Sequence, residues 1–190
     1  MKRLIAFAAL ACALAAAPAV AQDTAPVQPA GSTAVSVDVG GGYVVGLWRQ
    51  TSPRVRAGIE VGTQLERRDG DDDAEQDYSA YVVRPSVKLF SGGEGAVRPY
   101  TLVGLYVEGF RNRARDPADA ESVSRATEVG GRVGVGLEWM PMRRVAIGGH
   151  VGVSGGYVSE RYEFAGGDER KSDGWSASTF ASGIALTLFF

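Results

Sequence analysis

His150 and Ser154 are the residues whose types could support hydrolysis, since a histidine base can activate a serine hydroxyl. They lie in a segment where apolar and polar residues alternate, which is typical of a β-strand. Four residues of an extended strand span about 13 Å, too far for a hydrogen bond between base and nucleophile. Gly152 occupies the nearer position on the same face. The sequence therefore predicts no catalytic residue.

The acidic run 69–73 is the feature that could bind a divalent cation. A calcium loop of the EF-hand type beginning at Asp69 needs glycine and glutamate where the chain has Ala74 and Ala80. The run is therefore interpreted as a solvated loop tip, with weak divalent binding left open. Cys12 is the single cysteine, and no glycine-rich phosphate motif precedes a helix. Neither a structural metal nor a cofactor is predicted.

Composition limits the class of protein. The 190 residues carry 20 Lys and Arg against 22 Asp and Glu, a formal net charge of −2. This balance argues against nucleic acid as the main partner, because nucleic-acid-binding domains carry a basic surface. A hydrophobic content of 45 % with 22 % charged residues indicates a folded chain rather than a disordered one.

Residues 1–21 have the three parts of a secretory signal peptide: a basic start, an apolar run and small residues at the exit. Ala19 and Ala21 form an A-x-A site, with cleavage before Gln22. The apolar run is shorter than the roughly 20 residues that a membrane-spanning helix needs. A lipoprotein acceptor at Cys12 is the weaker alternative. We therefore expect a cleaved signal peptide (1–21), an extended linker (22–32) and one exported domain (33–190).

From residue 33 onward, apolar residues alternate with small or polar ones over long stretches, which is a strand signal. Several segments exceed the roughly 9–11 residues with which a tilted strand crosses a bilayer. The alternation predicts eight strands, near 33–39, 43–49, 54–66, 78–90, 98–110, 125–139, 144–162 and 175–190. For the first two, the alternative is a single strand over 33–49 with a glycine bend.

The two faces of these strands differ in a way that indicates a membrane barrel. One face is aliphatic or aromatic, while the other mixes glycine, serine and charge. Short connections alternate with long charged ones (67–77, 111–124 and 163–174), as in outer-membrane barrels. The predicted fold is all-β: a closed, antiparallel, eight-stranded transmembrane β-barrel. A soluble β-protein whose apolar face packs against a second sheet is the alternative.

The C-terminal segment 180–190 resembles the assembly signal of outer-membrane barrels, with Gly183, Leu186, Leu188 and Phe190 at its positions. Together with RPYTLVGLYVEG (98–109) and GGRVGVGLEW (130–139), this chain is similar to the small, porin-like family of opacity-protein and OmpA-like eight-stranded barrels. The resemblance implies a cell-surface protein of the outer membrane. The nearly absent first loop departs from that family.

Charged residues on the polar face predict an ion network inside the barrel, because charges that leave water must be paired. Similar heights above the short turns pair Glu60 with Arg84 and Glu108 with Arg132, and Glu138 and Arg144 flank a turn. His150 is placed in the central layer. The predicted network comprises Arg56, Glu60, Arg84, Glu108, Arg132, Glu138, Arg144 and His150.

An eight-stranded barrel has an interior just wide enough to be filled by side chains, so a structural or surface-interaction role is expected. Expected partners are outer-membrane lipids and lipopolysaccharide, the barrel-assembly machinery and an extracellular ligand. The runner-up is a narrow pore for small solutes or ions. A lipid A-modifying barrel enzyme of the deacylase type is disfavoured, because His150 falls on the lumen face, away from lipid.

Overall fold

The computed structural model describes residues 28–39, 43–69, 75–91, 95–115, 121–164, 168–181 and 184–190. Outside these ranges lie the predicted signal peptide with its cleavage site (Ala19, Ala21 and Gln22), residues 70–73 of the acidic run, and Gly183. None of the described residues belongs to a helix that is long and apolar enough to cross a membrane.

Nine strands account for most of the described residues, and they follow the alternation of apolar and polar side chains seen in the sequence. Their bounds are β1 (Thr33–Val39), β2 (Tyr43–Ser52), β3 (Val55–Asp69), β4 (Glu75–Phe90), β5 (Val97–Arg115), β6 (Glu121–Met142), β7 (Val145–Glu163), β8 (Glu169–Ala181) and β9 (Ile184–Phe189).

The strands form a ring of eight antiparallel positions. Each of β1 to β7 pairs with its neighbour in sequence, and β9 pairs with both β7 and β1, which joins the two ends of the sheet. β8 precedes β9 along the same partner, β7, so the two are halves of one long strand. The prediction of an antiparallel eight-stranded barrel is confirmed. Val39 lies opposite Tyr43, so residues 33–49 form two strands rather than one.

The last strand departs from the predicted continuous alternation over 175–190. Phe180 lies opposite Gly152, and its ring contacts that of His150 inside the ring of strands. Ala185 is also buried, whereas Ile184 and its alternate neighbours face outward. Phe180 and Ala185 are five positions apart, whereas residues on one face of an uninterrupted strand are an even number of positions apart, so the side-chain alternation changes phase between β8 and β9.

The strands of the structure continue into segments that the sequence predicted to be loops. β5 runs to Arg115 and β6 begins at Glu121, both inside the segment 111–124 that was predicted to be a loop. The Arg113 guanidinium and the Glu121 carboxylate form an ion pair of 2.6 Å across this extension. Cross-strand pairs of opposite charge stabilise a ladder in water, so the hairpins continue beyond the apolar part of the strands.

The polarity of the ring is the reverse of that of a soluble protein. Side chains on the outer surface are mostly aliphatic and exposed, while the inner surface holds the buried charged groups. Among the described residues, no second sheet covers the outer surface, so the soluble arrangement with two sheets is not adopted. The exposed apolar side chains include Leu47, Ile59, Val61, Leu105, Val133, Val135, Leu137, Val151, Val153, Leu186 and Leu188.

Candidate functional site

The lower part of the lumen, at the end with the short β2–β3 and β6–β7 turns, is filled by charged and aromatic side chains. Arg56 on β3 donates two hydrogen bonds to Glu138 on β6, of 2.6 and 3.0 Å, and a third of 2.9 Å to Gln50. The side chains of Arg56 and Glu138 are only 1 % and 2 % exposed. Bidentate pairing of this kind offsets the cost of removing both charges from water.

Aromatic rings complete the environment of Arg56. Its guanidinium carbon lies 4.8 Å from the centre of the Phe90 ring and 4.7 Å from that of Phe189. A cation between two ring faces is attracted by the negative charge that each face carries. Phe189 belongs to β9, so this contact also links the last strand to the interior.

Two further cations in this region were not predicted. The Lys88 ammonium lies 4.6 Å from the Trp48 ring centre and 4.8 Å from that of Tyr100. The Arg98 guanidinium lies 4.2 Å from the Phe90 ring centre and donates to the Pro53 carbonyl at 2.6 Å. Both cations stand on lumen-facing positions of their strands, two residues from Phe90 or Tyr100, and that spacing could have revealed them. We call the group formed by Trp48, Arg56, Lys88, Phe90, Arg98, Tyr100, Glu138 and Phe189 the lumen seal.

A second layer lies above the lumen seal. Arg132 on β6 donates to the Glu60 carboxylate and to the Ser86 hydroxyl, and its guanidinium carbon lies 5.9 Å from the Phe180 ring centre. His150 stands beside this layer, with Nδ1 3.3 Å from the Tyr100 hydroxyl. Arg132, Glu60 and His150 are buried, so the buried part of the lumen continues into the middle of the barrel. The Ser154 hydroxyl lies 2.9 Å from that of Ser178 in a more exposed position.

The structure corrects the predicted pairing while keeping most of its members inside the lumen. Glu60 and Arg84 are opposite on neighbouring strands, as their heights indicated, but Glu60 pairs with Arg132. Arg84 pairs with Glu108 instead, at 2.6 Å. The Glu60–Arg132 pair reaches across the narrow lumen to a non-adjacent strand, whereas Arg84 reaches diagonally to Glu108 on the adjacent strand β5, and strand order alone specifies neither partner.

Arg144 does not join the network. It lies exposed in the turn between β6 and β7, whereas its predicted partner Glu138 is held by Arg56 from across the lumen. A turn residue remains in contact with water, so Arg144 has no desolvation to offset by pairing.

Glycines on the inner surface make room for the large side chains. A Cβ atom at Gly136 would collide with the Tyr100 ring, and one at Gly130 would meet the Tyr106 ring at 2.6 Å. Gly104 lies against Ser86 in the same way. The glycine-rich face of the sequence therefore reflects close packing of small against large residues within a narrow barrel.

The upper lumen contains a cavity of about 240 Å³. Its walls are partly apolar and partly polar, and the Arg84–Glu108 pair lies at its lower end with side chains that are 30 % and 41 % exposed. Glu128 also lines it and accepts hydrogen bonds from Tyr106 and Ser176. We call this space the upper cavity. Its apolar lining comprises Val44, Ala80, Val82, Phe110, Ala126 and Val158.

Comparison with known proteins identifies the fold. No protein-family model matches the chain, and no curated protein matches it. It is similar to the crystal structure of a major outer membrane protein from Thermus thermophilus, with a TM-score of 0.53 and 16 % identity over 84 % of this chain and 98 % of that one. The two proteins share an outer-membrane barrel fold. Acinetobacter baumannii CarO2 gives a TM-score of 0.42 and 11 % identity over 87 % of this chain and 100 % of that one.

The described residues do not supply the ligands of a metal centre. No group of three or more His, Cys, Asp or Glu side chains in this part of the chain could hold a metal ion. The candidate functional site consists of the lumen seal, the layer above it and the upper cavity.

Proposed function

We propose that this chain is an integral outer-membrane β-barrel with a structural and surface-interaction role, similar to the small opacity-protein and OmpA-like barrels. The observation that carries the proposal is the reversed polarity of the ring. Aliphatic side chains face outward and are exposed, while ion pairs are buried inside the ring. Such a surface is stable in lipid and prone to association in water.

Aromatic residues support the same placement, because Trp and Tyr collect at both interfaces of a membrane barrel. Trp139 and Phe190 face outward near the lower end of the ring. Tyr157 and Trp175 face outward higher up, with ring centres 5.7 Å apart. The aliphatic side chains lie between these two levels.

In this proposal the signal peptide directs export, the barrel-assembly machinery inserts the chain, and lipopolysaccharide surrounds it. The hairpin extensions around 67–77, 111–124 and 163–174 then project outside the cell, available to an extracellular ligand. Their strands carry charged side chains of both signs, including the Arg113–Glu121 and Arg125–Glu163 pairs. No catalytic step forms part of this function.

The lumen seal argues against the alternative of a narrow pore. Arg56, Glu138 and Trp48 are each 2 % exposed or less, and together they cross the lower lumen. The test is planar-bilayer recording of the refolded chain without residues 1–21. We expect a steady baseline without stable conductance steps, whereas reproducible steps would establish the pore.

Location is tested separately. The mature chain is expected in the outer-membrane fraction of expressing cells and should require detergent for purification. A mature chain that is soluble and monodisperse without detergent would contradict the membrane proposal.

A further inference from the structure

The β1–β2 hairpin is shorter than the wall that it helps to build. β1 has seven residues, which rise only about 18 Å in a strand tilted by about 40°. The apolar band of an outer-membrane barrel is about 25 Å tall. The described part of the hairpin therefore ends below the upper edge of that band.

Above the hairpin, the described strands leave an opening in the wall. The last pair between β2 and β3 joins Val44 to Gly62, and β3 continues from Thr63 with a described partner on the β4 side only. β8 pairs with β7 alone in the described part of the chain. Three strand spacings, about 14 Å, separate β3 from β8 around the ring. We call the opening between Thr63–Leu65 and Gly174–Phe180 the lateral gap.

The side chains that flank the lateral gap support its position within the apolar band. Leu65 on β3 is 82 % exposed and Trp175 on β8 is 85 % exposed, whereas Val61, which precedes Thr63 on the same face, is 47 % exposed. All three face outward, and a missing neighbouring strand explains why the two flanking residues are more exposed. Leu65 and Trp175 are suited to lipid, so the gap opens toward the membrane.

The lateral gap and the upper cavity are continuous. Val44 and Gly62, the last pair below the gap, both line the cavity, and so do Thr63 and Gln64 on its rim. A molecule in the outer leaflet can thus reach the upper lumen without passing through the aqueous mouth of the barrel.

The lining of the cavity specifies the chemistry of that molecule. Two carboxylates, Glu108 and Glu128, face it against a single guanidinium, Arg84, and this excess of negative charge favours an amine. The apolar part of the lining, which includes Val44, Val82 and Val158, and the apolar surrounding membrane favour a hydrocarbon chain next to the amine. Backbone N–H and C=O groups along the gap also need polar partners at this depth, which a polar head group supplies and pure hydrocarbon does not.

From this geometry we infer that the upper cavity binds the amino head group of a single-chain amphiphile from the outer leaflet, with its chain passing through the lateral gap into the membrane. The inference rests on the proposed membrane location. It places a ligand site above the lumen seal. The ligand reaches this site from the membrane, so binding does not require passage through the lumen seal.

The test measures contact between the lumen and a membrane probe. Ala126→Cys, in a chain without residues 1–21 and hence without Cys12, places a bimane fluorophore in the cavity, and Val158→Cys provides a second site. The probe is hexadecylamine with a nitroxide next to the amino group, in phosphatidylcholine vesicles. Val129→Cys, which faces lipid, reports membrane insertion.

We expect the probe to quench bimane at positions 126 and 158. Val44→Trp should remove most of this quenching by filling the entrance, and Gln64→Trp on the rim provides a second block in case the first prevents folding. Val45 is the next residue along β2 and faces outward, toward lipid. Val45→Trp is therefore the matched control and should leave quenching unchanged. The analogous nitroxide-labelled carboxylic acid should quench the lumen sites more weakly than the amine.

The outcomes separate the two proposals. Quenching at Val129→Cys without quenching at either lumen site overturns the amphiphile site and leaves the membrane location intact. Absence of quenching at all three positions overturns the membrane location and the site with it. Equal quenching in Val44→Trp, Gln64→Trp and Val45→Trp, or equal quenching by amine and acid, also overturns the inference.

Discussion

Arg56 is held by groups from three sides of the lumen. Glu138 on β6 and Gln50 on β2 accept its hydrogen bonds, while Phe90 and Phe189 cover the guanidinium faces. Each contact removes water from the cation and replaces it with a polar or aromatic partner. The contacts that offset the burial of the Arg56 guanidinium therefore form only when several strands are in place together.

The Arg56–Glu138 pair gives a prediction for stability. Glu138→Gln or Arg56→Met leaves an uncompensated buried charge, so each should lower the free energy of unfolding by about 3–5 kcal/mol. The double variant should lose less than the sum of the two. Urea unfolding in detergent micelles, followed by tryptophan fluorescence, gives the three values.

The Arg84–Glu108 pair is the control, because both side chains are partly exposed. Glu108→Gln should cost about 0–1 kcal/mol. Strictly additive losses at Arg56 and Glu138 would show that lumen water, rather than the partner, stabilises each charge.

Glycine positions give a second prediction at this scale. A methyl group at Gly136 would collide with the Tyr100 ring, and overpacking of this kind costs about 1–3 kcal/mol. Gly131→Ala is the matched control, because the nearest atom to its added methyl group is 3.8 Å away. The same urea titration should show destabilisation for Gly136→Ala and almost none for Gly131→Ala. Equal effects would mean that the inner surface tolerates the extra volume.

At the scale of elements, the hairpin extensions depend on charge pairs rather than on apolar burial. The hydrogen bond from Arg113 holds the pKa of the Glu121 carboxyl below its usual range. A carboxyl with a lowered pKa in the folded state contributes stability above its unfolded pKa and loses it as pH falls through the folded value. Acidification should therefore loosen the end of the β5–β6 hairpin.

Arg113→Gln tests this pair directly. The substitution removes the donor, so the pKa of Glu121 should rise toward its ordinary value, and the pH at which the hairpin end loosens should rise with it. A carbon-13 NMR titration of the Glu121 carboxyl in micelles measures the midpoint. Arg125→Gln, which breaks the Arg125–Glu163 pair on the next hairpin, is the control and should not move that midpoint. An unchanged midpoint in Arg113→Gln would contradict the prediction.

At the scale of the whole molecule, the join between the last and first strands completes the ring. β9 pairs with β1 from Ala34–Phe189 to Val39–Ile184, and the Phe190 amide donates to the Thr33 carbonyl at 2.9 Å. Phe190 itself faces outward and is exposed. Its side chain therefore contributes little to the interior.

Deletion of Phe190 should lower the amount of the protein in the outer membrane without preventing refolding into detergent in vitro. Phe190→Trp keeps a terminal aromatic residue and should insert normally. Membrane fractionation of expressing cells, beside a refolding assay on purified chain, measures both properties. Normal insertion of the truncated chain would show that Phe190 is not an assembly determinant.

The sequence by itself determined the strands and their two faces. Alternation is a local property of an extended backbone, since successive side chains point to opposite sides. Residues 129–139 therefore indicated which side chains face outward and which face the lumen, and the glycines 40–42 indicated the first reversal. Long charged connections likewise marked one end of the barrel, although their strands extend further than the pattern suggested.

Tertiary structure decided which lumen residues meet. Glu138 pairs with Arg56 from across the ring, and Lys88 rests on Trp48 and Tyr100. The Arg56–Glu138 and Lys88–Trp48 contacts join strands that are not neighbours, so they depend on the summed register of all strands between them and on the space left by glycines. The change of phase before Ile184 and the height of the lateral gap arise in the same way, because both depend on how the last strand meets the first around a ring of fixed size.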